Sequence, residues 1–488
     1  MEKQEKIPNI IAIIGAIVLL VLAVVGLSYA FFSAFIKNGE TDPSIEGTGA
    51  NLSLVYTDGK SVITSSNIMP GWSATKTFTV TNNGEADTYY KLNISSITNE
   101  FVDGGLTFSI ASADGGTSVA EQAVGTTTRT ISPSITIAEG ATHTYTVTAK
   151  YINLNTDQTP DLGKSFSYTI GIEASQKPTF KDIILANNEV KTPITTPGAA
   201  VSTSSEALLA SAEDDYGTSY YFRGAVTNNY VEFANKCWRI VRIGGDNTVK
   251  LILHNDNISN ASNPCSSANN STTAAFVHYD GNIYKSEFNS NYNDNAYVGF
   301  MYGTPGSTTY EATHANTNKS TILTNLETWY NNNLKTYESV IDNNVFCNDK
   351  SLSSGSGYSA NATDYAARER LYTSKIPSLK CNGELSKITS KIGLITADEL
   401  AFAGYAVRGY ITTSYLKENA TGYSWWSLSP AGFYNKSLSY VFRVRSDNDA
   451  SDICNVNVDS SVRPVISLVS SITISGVSGT SEDPYVVK

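Results

Sequence analysis

The residues able to do chemistry are few, and most lie in the second half of the chain. All five cysteines, Cys237, Cys265, Cys347, Cys381 and Cys454, follow residue 236. None has CxxC spacing, and the four histidines (His143, His254, His278, His314) are scattered, so a zinc centre has little to build on. In an oxidising compartment five thiols suit two bridges and one spare thiol. Of the fifteen ways to form two bridges from the five cysteines, the pairing expected is Cys237–Cys265 and Cys347–Cys381, with Cys454 free. In the chain-entropy model loops of these lengths stabilise a fold by roughly 3–4 kcal/mol each.

A second group is aromatic and cationic. Thr421 to Pro430 reads TGYSWWSLSP and Ser461 to Leu468 reads SVRPVISL. Adjacent residues of a strand face opposite sides, so one of Trp425 and Trp426 is expected to be buried and the other partly open. Arg463 precedes a proline, which places it at an edge or bend. A guanidinium there stacks on an indole or binds backbone carbonyls. These three are the candidate ligand contacts, and core packing accounts for the same residues. A third group is the run Ser446 to Asp452 (SDNDASD), where Asp447, Asp449 and Asp452 offer oxygen ligands suited to calcium. EF-hand spacing is missing, and a solvated hairpin turn explains the run as well. No other cofactor is expected. The sequence shows no nucleophile elbow, HExxH, P-loop or GxGxxG context. Carboxylate pairs for glycoside hydrolysis meet only in space and are not legible.

The elements that must carry these residues follow a stretch of another kind. Ile10 to Ile36 holds no charged residue, and its 27 residues exceed the ~20 that cross a hydrocarbon core as a helix. Lys3 and Lys6 precede it, and Glu40, Asp42 and Glu46 soon follow, which favours the N-terminus inside and the bulk outside. The expectation is a single-pass anchor over 10–36 behind a cytoplasmic tail, residues 1–9. Cleavage after Ala30, behind the small-residue pattern Ser28-Tyr29-Ala30, is the rival. No LPxTG-like signal precedes the C-terminus, so the helix is expected to be the only anchor. A net charge of −11 without a long Lys/Arg block excludes an electrostatic footprint for nucleic acid. The expected partners are a membrane, through the helix, and an extracellular glycan or protein.

Beyond a polar spacer (37–50), residues 51–175 alternate with period two. Phe78 and Val80 share a face, as do Tyr90, Leu92 and Ile94; Tyr145, Val147, Ala149 and Tyr151; and Phe166, Tyr168, Ile170 and Ile172. Seven or eight such strands separated by Gly/Asn/Asp turns predict an immunoglobulin-like all-β sandwich. Residues 176–205, with three prolines, read as a linker holding one short ordered piece near Ile183 to Val190. From 206 to 488 the pattern is α+β. A hairpin turns at Gly244 to Asn247 between Trp238–Ile243 and Thr248–Leu253. A long polar insertion runs to about Asn318. A helix runs from Ser320 to Tyr337, with Ile322, Leu323, Leu326, Trp329, Tyr330 and Leu334 as a core stripe. Lys391 to Ile395 reads as a strand, and Thr396-Ala397-Asp398-Glu399 as a capping box. Strands then follow to the end.

Two resemblances bear on this outline. MPGWSATKTFTVTNNGEADTYYKLNI is similar to a strand pair in sandwich domains of bacterial surface and matrix proteins, including camelysin-like ones, and implies an exported stalk or matrix module. KCWRIVRI, FCNDKS, GLITADEL, WWSLSP and SVRPVISL together resemble a large group of bacterial cell-surface domains with the C-type-lectin and formylglycine-generating-enzyme fold. That likeness spans about Tyr220 to Lys488. The site chemistries of the fold do not carry over. The enzymes use a pair of copper-binding cysteines, and Cys454 has no neighbour in sequence to pair with. Sugar-binding lectins use Glu-Pro-Asn or Gln-Pro-Asp with Trp-Asn-Asp, and none of these occurs. The expected whole is therefore a multidomain chain: a transmembrane α-helix, an immunoglobulin-like sandwich and an α+β C-type-lectin-like head. The expected role is non-enzymatic recognition or adhesion. The alternatives are a matrix or fibre subunit that assembles through the sandwich and an enzyme acting on extracellular glycans or peptidoglycan.

Overall fold

The computed structural model describes residues 33–35 and most of 54–487; 59–67, 202–204, 408–412 and 447–450 are among the stretches it leaves out. The chain is mostly β-strand in several sheets, with few helices. It divides into two compact units, Met1–Pro178 and Thr179–Lys488.

The first unit holds β1 (Ser33–Phe35), β2 (Leu54–Asp58), β3 (Trp72–Asn82), β4 (Thr88–Asn99), β5 (Leu106–Ser112), β6 (Val119–Ala123), β7 (Arg129–Ile137), β8 (Thr142–Tyr151) and β9 (Phe166–Ser175). They form a four-stranded sheet, β1-β9-β4-β7, and a five-stranded one, β2-β3-β8-β5-β6, a sandwich-like pair. Each strand puts apolar residues on one face because alternate side chains point opposite ways. Phe78, Val80, Tyr90, Leu92, Ile94, Tyr145 and Val147 are buried in one core, as their alternation predicts. Phe166 and Tyr168, expected beside them, are only half-buried at its margin.

The expected membrane helix over 10–36 lies outside the described residues except for Ser33–Phe35. Those three residues are strand, not helix, and pair antiparallel with Glu173 to Gly171 of β9. Among the described residues no helix is long and apolar enough to cross a membrane.

The second unit starts inside the expected linker. Thr179 and Asp182 close a capping box on α1 (Phe180–Asn187), and Phe180 and Ile184 are fully buried in this unit's core. The short ordered piece expected near Ile183 to Val190 is this helix, which starts three residues earlier because Phe180 is buried too. The main sheet contains β10 (Ala207–Asp214), β11 (Gly217–Gly224), β12 (Tyr230–Phe233), β13 (Lys236–Ile243) and β14 (Val249–Asn255). The predicted hairpin is β13 pairing with β14. α2 (Thr321–Asn333) is capped by the Ser320 hydroxyl and buries the predicted stripe. Its expected last turn, Lys335–Tyr337, tightens into a 3-10 turn. α3 (Ala397–Phe402) carries the predicted capping box. The strand expected over Lys391 to Ile395 does not form; only Gly393 bridges, to Val465.

A second sheet is built on β15 (Trp425–Tyr434) and β16 (Leu438–Val444), which pair antiparallel. The SVRPVISL stretch, Ser461 to Leu468, is broken at Arg463-Pro464: Ser460–Ser461 joins this sheet, and β17 (Val465–Leu468) joins β14 in the main one. Proline lacks the N–H a ladder needs, so the chain changes sheets there. The tail closes with β18 (Tyr485–Val487), parallel to β12.

Candidate functional site: an open groove over a layer of buried arginines

Both predicted disulfides are present, Cys237–Cys265 and Cys347–Cys381, and Cys454 is free and buried. The first has a local consequence. Cys237 sits on β13, and its bridge holds the turn before Asn270 against that strand, with Tyr230 packed on both sulfurs' residues. It thereby fixes one wall of an open groove. That wall is Asn270, Ser271 and Thr272; residues between Thr413 and Thr421 form a second, joined to it where the Thr421 N–H donates to the Thr272 carbonyl at 2.8 Å. Ala225, Val226 and Thr227 also line the groove. The groove leaves about 640 Å³ for water-sized occupants, within the roughly 300–1,000 Å³ typical of ligand sites.

Among the described residues Glu418 is the only carboxylate in this lining. Its side chain is 40% exposed, and one oxygen is held from behind. Arg239 Nη1 donates to Oε2 at 2.7 Å and the Tyr230 hydroxyl donates to the same oxygen at 2.7 Å. The other oxygen, Oε1, accepts from Asn270 Nδ2 at 3.1 Å. Asn270 Oδ1 accepts from Asn419 Nδ2 at 2.8 Å, which ties the two walls together. Arg239 is fully buried. It stacks 3.7 Å over the Tyr230 ring and also donates to Asn229 Oδ1 and the Val226 carbonyl. Burial, with Arg239 and Arg463 nearby, holds His254 well below its ordinary range, so it is neutral.

Trp425, Trp426 and Arg463 are all fully buried, so none offers a ligand a surface. The expectation that one tryptophan would be partly open fails because β15 has packing on both faces. Trp425 lies beneath Tyr405 and Arg463; Trp426 packs edge-on to Phe288 and donates to the Ser286 carbonyl at 2.7 Å. Arg463 does both things its position suggested. Its guanidinium lies 5.0 Å over the Trp425 ring, and it donates to Leu253 O at 2.8 Å and Leu416 O at 2.6 Å. It thus pins the Tyr415–Lys417 turn, part of the groove wall, to β14. Burial pulls its pKa down to about 10. Its Nη2, Trp425 Nε1 and the Tyr415 hydroxyl make no hydrogen bond with the described residues.

Asp447 and Asp449 lie outside the described residues. Asp452 accepts from Tyr372 at 2.6 Å and pairs with Arg445 at 3.3 Å. Among the described residues no cluster of His, Cys, Asp or Glu is placed to hold a metal ion.

Acidic side chains gather instead in a recess walled by the Cys347–Cys381 bridge, which leaves only about 40 Å³ for water, room for about three molecules. Glu399 Oε1 accepts from Lys250 at 2.6 Å and Arg242 at 2.9 Å. Arg242 also pairs with Asp214 at 2.8 Å. Arg370 joins Asp349 at 2.7 Å to both oxygens of Asp398. Burial opposes ionisation of Glu399, but the two cations outweigh it and hold the carboxyl at about 2. Burial pulls the Lys250 ammonium down, helped by the Arg242 charge, although Glu399 opposes it. Burial pushes Asp398 up despite Arg370. This recess is filled by its own ion pairs.

Sequence reasoning missed Arg239, Tyr230, Asn270 and Glu418. One signal was available. Arg239 sits in KCWRIVRI between residues that a central strand buries, and a buried guanidinium requires a partner. Nothing in the sequence says that the partner lies 179 residues away. No protein-family model matches the chain, and no curated protein matches it.

Proposed function

We propose that this is a bacterial cell-surface protein, anchored by the apolar segment 10–36, whose C-terminal unit recognises an extracellular ligand without chemical turnover. The first unit serves as an immunoglobulin-like stalk, a reading its two antiparallel sheets support. The second is of the C-type-lectin-like type, supported by the paired β15–β16 strands and by Arg463 stacked beside them. The observation that carries the recognition reading is the separation of space from acid. Among the described residues the open groove is lined by one carboxylate, Glu418, whereas glycoside hydrolysis calls for two. Where carboxylates cluster there is almost no room, and the cations around them tie them down. Protease treatment of intact cells, with the surviving fragment sequenced, tests topology: loss of residues beyond 37 with retention of 1–36 is expected. Protection of the C-terminal unit in intact cells overturns the placement.

One observation favours a matrix or fibre role as a second reading. β1 begins three residues after the possible cleavage site at Ala30 and is an edge strand on β9. Cleavage there leaves a pairing strand at the new N-terminus, and a strand of that kind adds to a sheet edge in its own or a neighbouring copy. A released protein beginning at Phe31 that forms fibres in electron microscopy supports this role; an uncleaved monomer removes it.

A further inference from the structure

We infer that the Lys350 side-chain nitrogen and the Asn316 carboxamide join in an intramolecular amide bond, a self-formed cross-link inside the second unit. The two groups meet in the fold although 34 positions separate them. Lys350 Nζ donates to Asn316 Oδ1 and, at 3.4 Å, to the His314 carbonyl. The other end of the Asn316 amide, Nδ2, donates to the Leu385 carbonyl at 2.9 Å, which fixes the orientation of the group. Cγ lies one carbonyl bond behind Oδ1, so it stands about 3–4 Å from Nζ, within reach of attack.

The surroundings suit Lys350 to be a nucleophile rather than a resident cation. Its side chain is completely buried. Among the described residues no carboxylate pairs with it, whereas the equally buried Lys250 is held by Glu399. An ammonium has three hydrogens to place and a neutral amine has two; Lys350 Nζ has two acceptors, which leaves its third position for a lone pair. Burial brings the group down to about 7, so much of it is amine at neutral pH.

Both groups are held still. The Lys350 N–H donates to Ser386 Oγ at 2.9 Å, its carbonyl accepts from the Tyr310 hydroxyl at 2.8 Å, and nearby Asn348 Nδ2 donates to the Leu428 carbonyl at 2.8 Å. Asn316 sits in the left-handed region (φ 53°), which asparagine tolerates, and the Thr317 N–H closes the turn on the Tyr302 carbonyl at 2.9 Å. Asn316 is half-buried, so the departing group has an exit.

The step balances within the two side chains. The Nζ lone pair forms the new bond to Cγ, and the Cγ–Nδ2 bond breaks. Nζ gives up one proton, which leaves on Nδ2 as ammonia, and nothing else is consumed. The linked Lys350 carries no charge; burial, the larger influence on His314, still holds that imidazole neutral. The closed loop contains α2, and the link lies three residues after Cys347, so the same segment is tied by this bond and by the Cys347–Cys381 bridge. Unlike the disulfide, the amide survives a reductant.

The purified full chain, reduced, alkylated and digested with trypsin, is to be mapped by mass spectrometry beside N316A and K350R. The expected wild-type product is a branched peptide in which Ser286–Lys319 is joined to Thr336–Arg368, uncut at Lys350 and lighter by one ammonia than the two parts together. Fragmentation should place the branch at Asn316 and Lys350, which separates it from ammonia loss by cyclisation at any other asparagine. Both variants should give the two segments unlinked. The wild-type map decides the question whether or not a variant folds. Recovery of Ser286–Lys319 and Thr336–Lys350 as free peptides with no branched species overturns the inference, as does a branch that persists in N316A.

Discussion

Replacing Glu399 by Gln isolates the charge at the centre of the buried ion network. Glu399 has two roles at once. Its Oε2 accepts from the Thr396 backbone N–H at 3.0 Å, closing the capping box of α3, while Oε1 takes Lys250 and Arg242. Glutamine keeps an oxygen for the cap, removes the negative charge and turns an amide NH2 towards Lys250 and Arg242, which lose their acceptor. The carboxyl is held at about 2, against an ordinary 4.5. That difference corresponds to about 3 kcal/mol, in line with the roughly 3–5 kcal/mol lost when one partner of a buried ion pair is removed. The folded pKa is depressed, so this stability is fully present above about 4.5, declines below it and is gone at about 2. Urea unfolding followed by tryptophan fluorescence is a suitable assay, because Trp238, Trp329, Trp425 and Trp426 are all buried in the second unit and only Trp72 belongs to the first. At pH 7 E399Q should lose about 3 kcal/mol, and E399A about 1 kcal/mol more through the lost cap. The gap between wild type and E399Q should close as pH falls from 4.5 towards 2. Equal stability at pH 7, or a gap constant across that range, refutes the network as a source of stability.

Other outcomes follow from the same geometry. R463M removes the donors that hold Leu253 O and Leu416 O in a dry layer, so it should cost about 2–4 kcal/mol and loosen the groove wall, visible as faster amide exchange in 414–421. Non-reducing peptide mapping should recover the 237–265 and 347–381 bridges. Converting Cys237 and Cys265 together to Ser should cost about 3 kcal/mol and weaken any groove ligand more than the same change at Cys347 and Cys381 does. Burial and the Lys350 ammonium hold His314 at about 3, so it stays neutral in the fold. Stability tied to it is complete above about 6.5 and declines as pH falls towards 3, because the unfolded imidazole takes the proton first. An H314Q variant should show a flatter stability profile between those values, measured by denaturant titration at several pH values.

What could be read from the sequence is what local chemistry decides. Period-two alternation placed Tyr90, Leu92 and Ile94 inside, because a strand sends alternate side chains to opposite faces whatever it packs against. Gly244 to Asn247 made a hairpin and Thr396 with Glu399 a capping box for the same reason: each motif satisfies its own backbone within a few residues. The cysteine pairing was one choice among fifteen, and the fold has that one. What spans the chain was not. Both tryptophans are buried because β15 has neighbours on two faces, and no local pattern reports a second face. α1 is a helix in proline-rich surroundings because a core waits for Phe180 and Ile184. Above all, the groove depends on Arg239 meeting Glu418, and the acid recess on Glu399 meeting Lys250 and Arg242. An ion pair needs only proximity in space, and each of these pairs joins residues more than a hundred positions apart. The sequence alone determined which side chains carry charge, and the tertiary fold decided which charges meet: Glu399 with Lys250 and Arg242 in a closed recess, Glu418 with Arg239 beside an open groove.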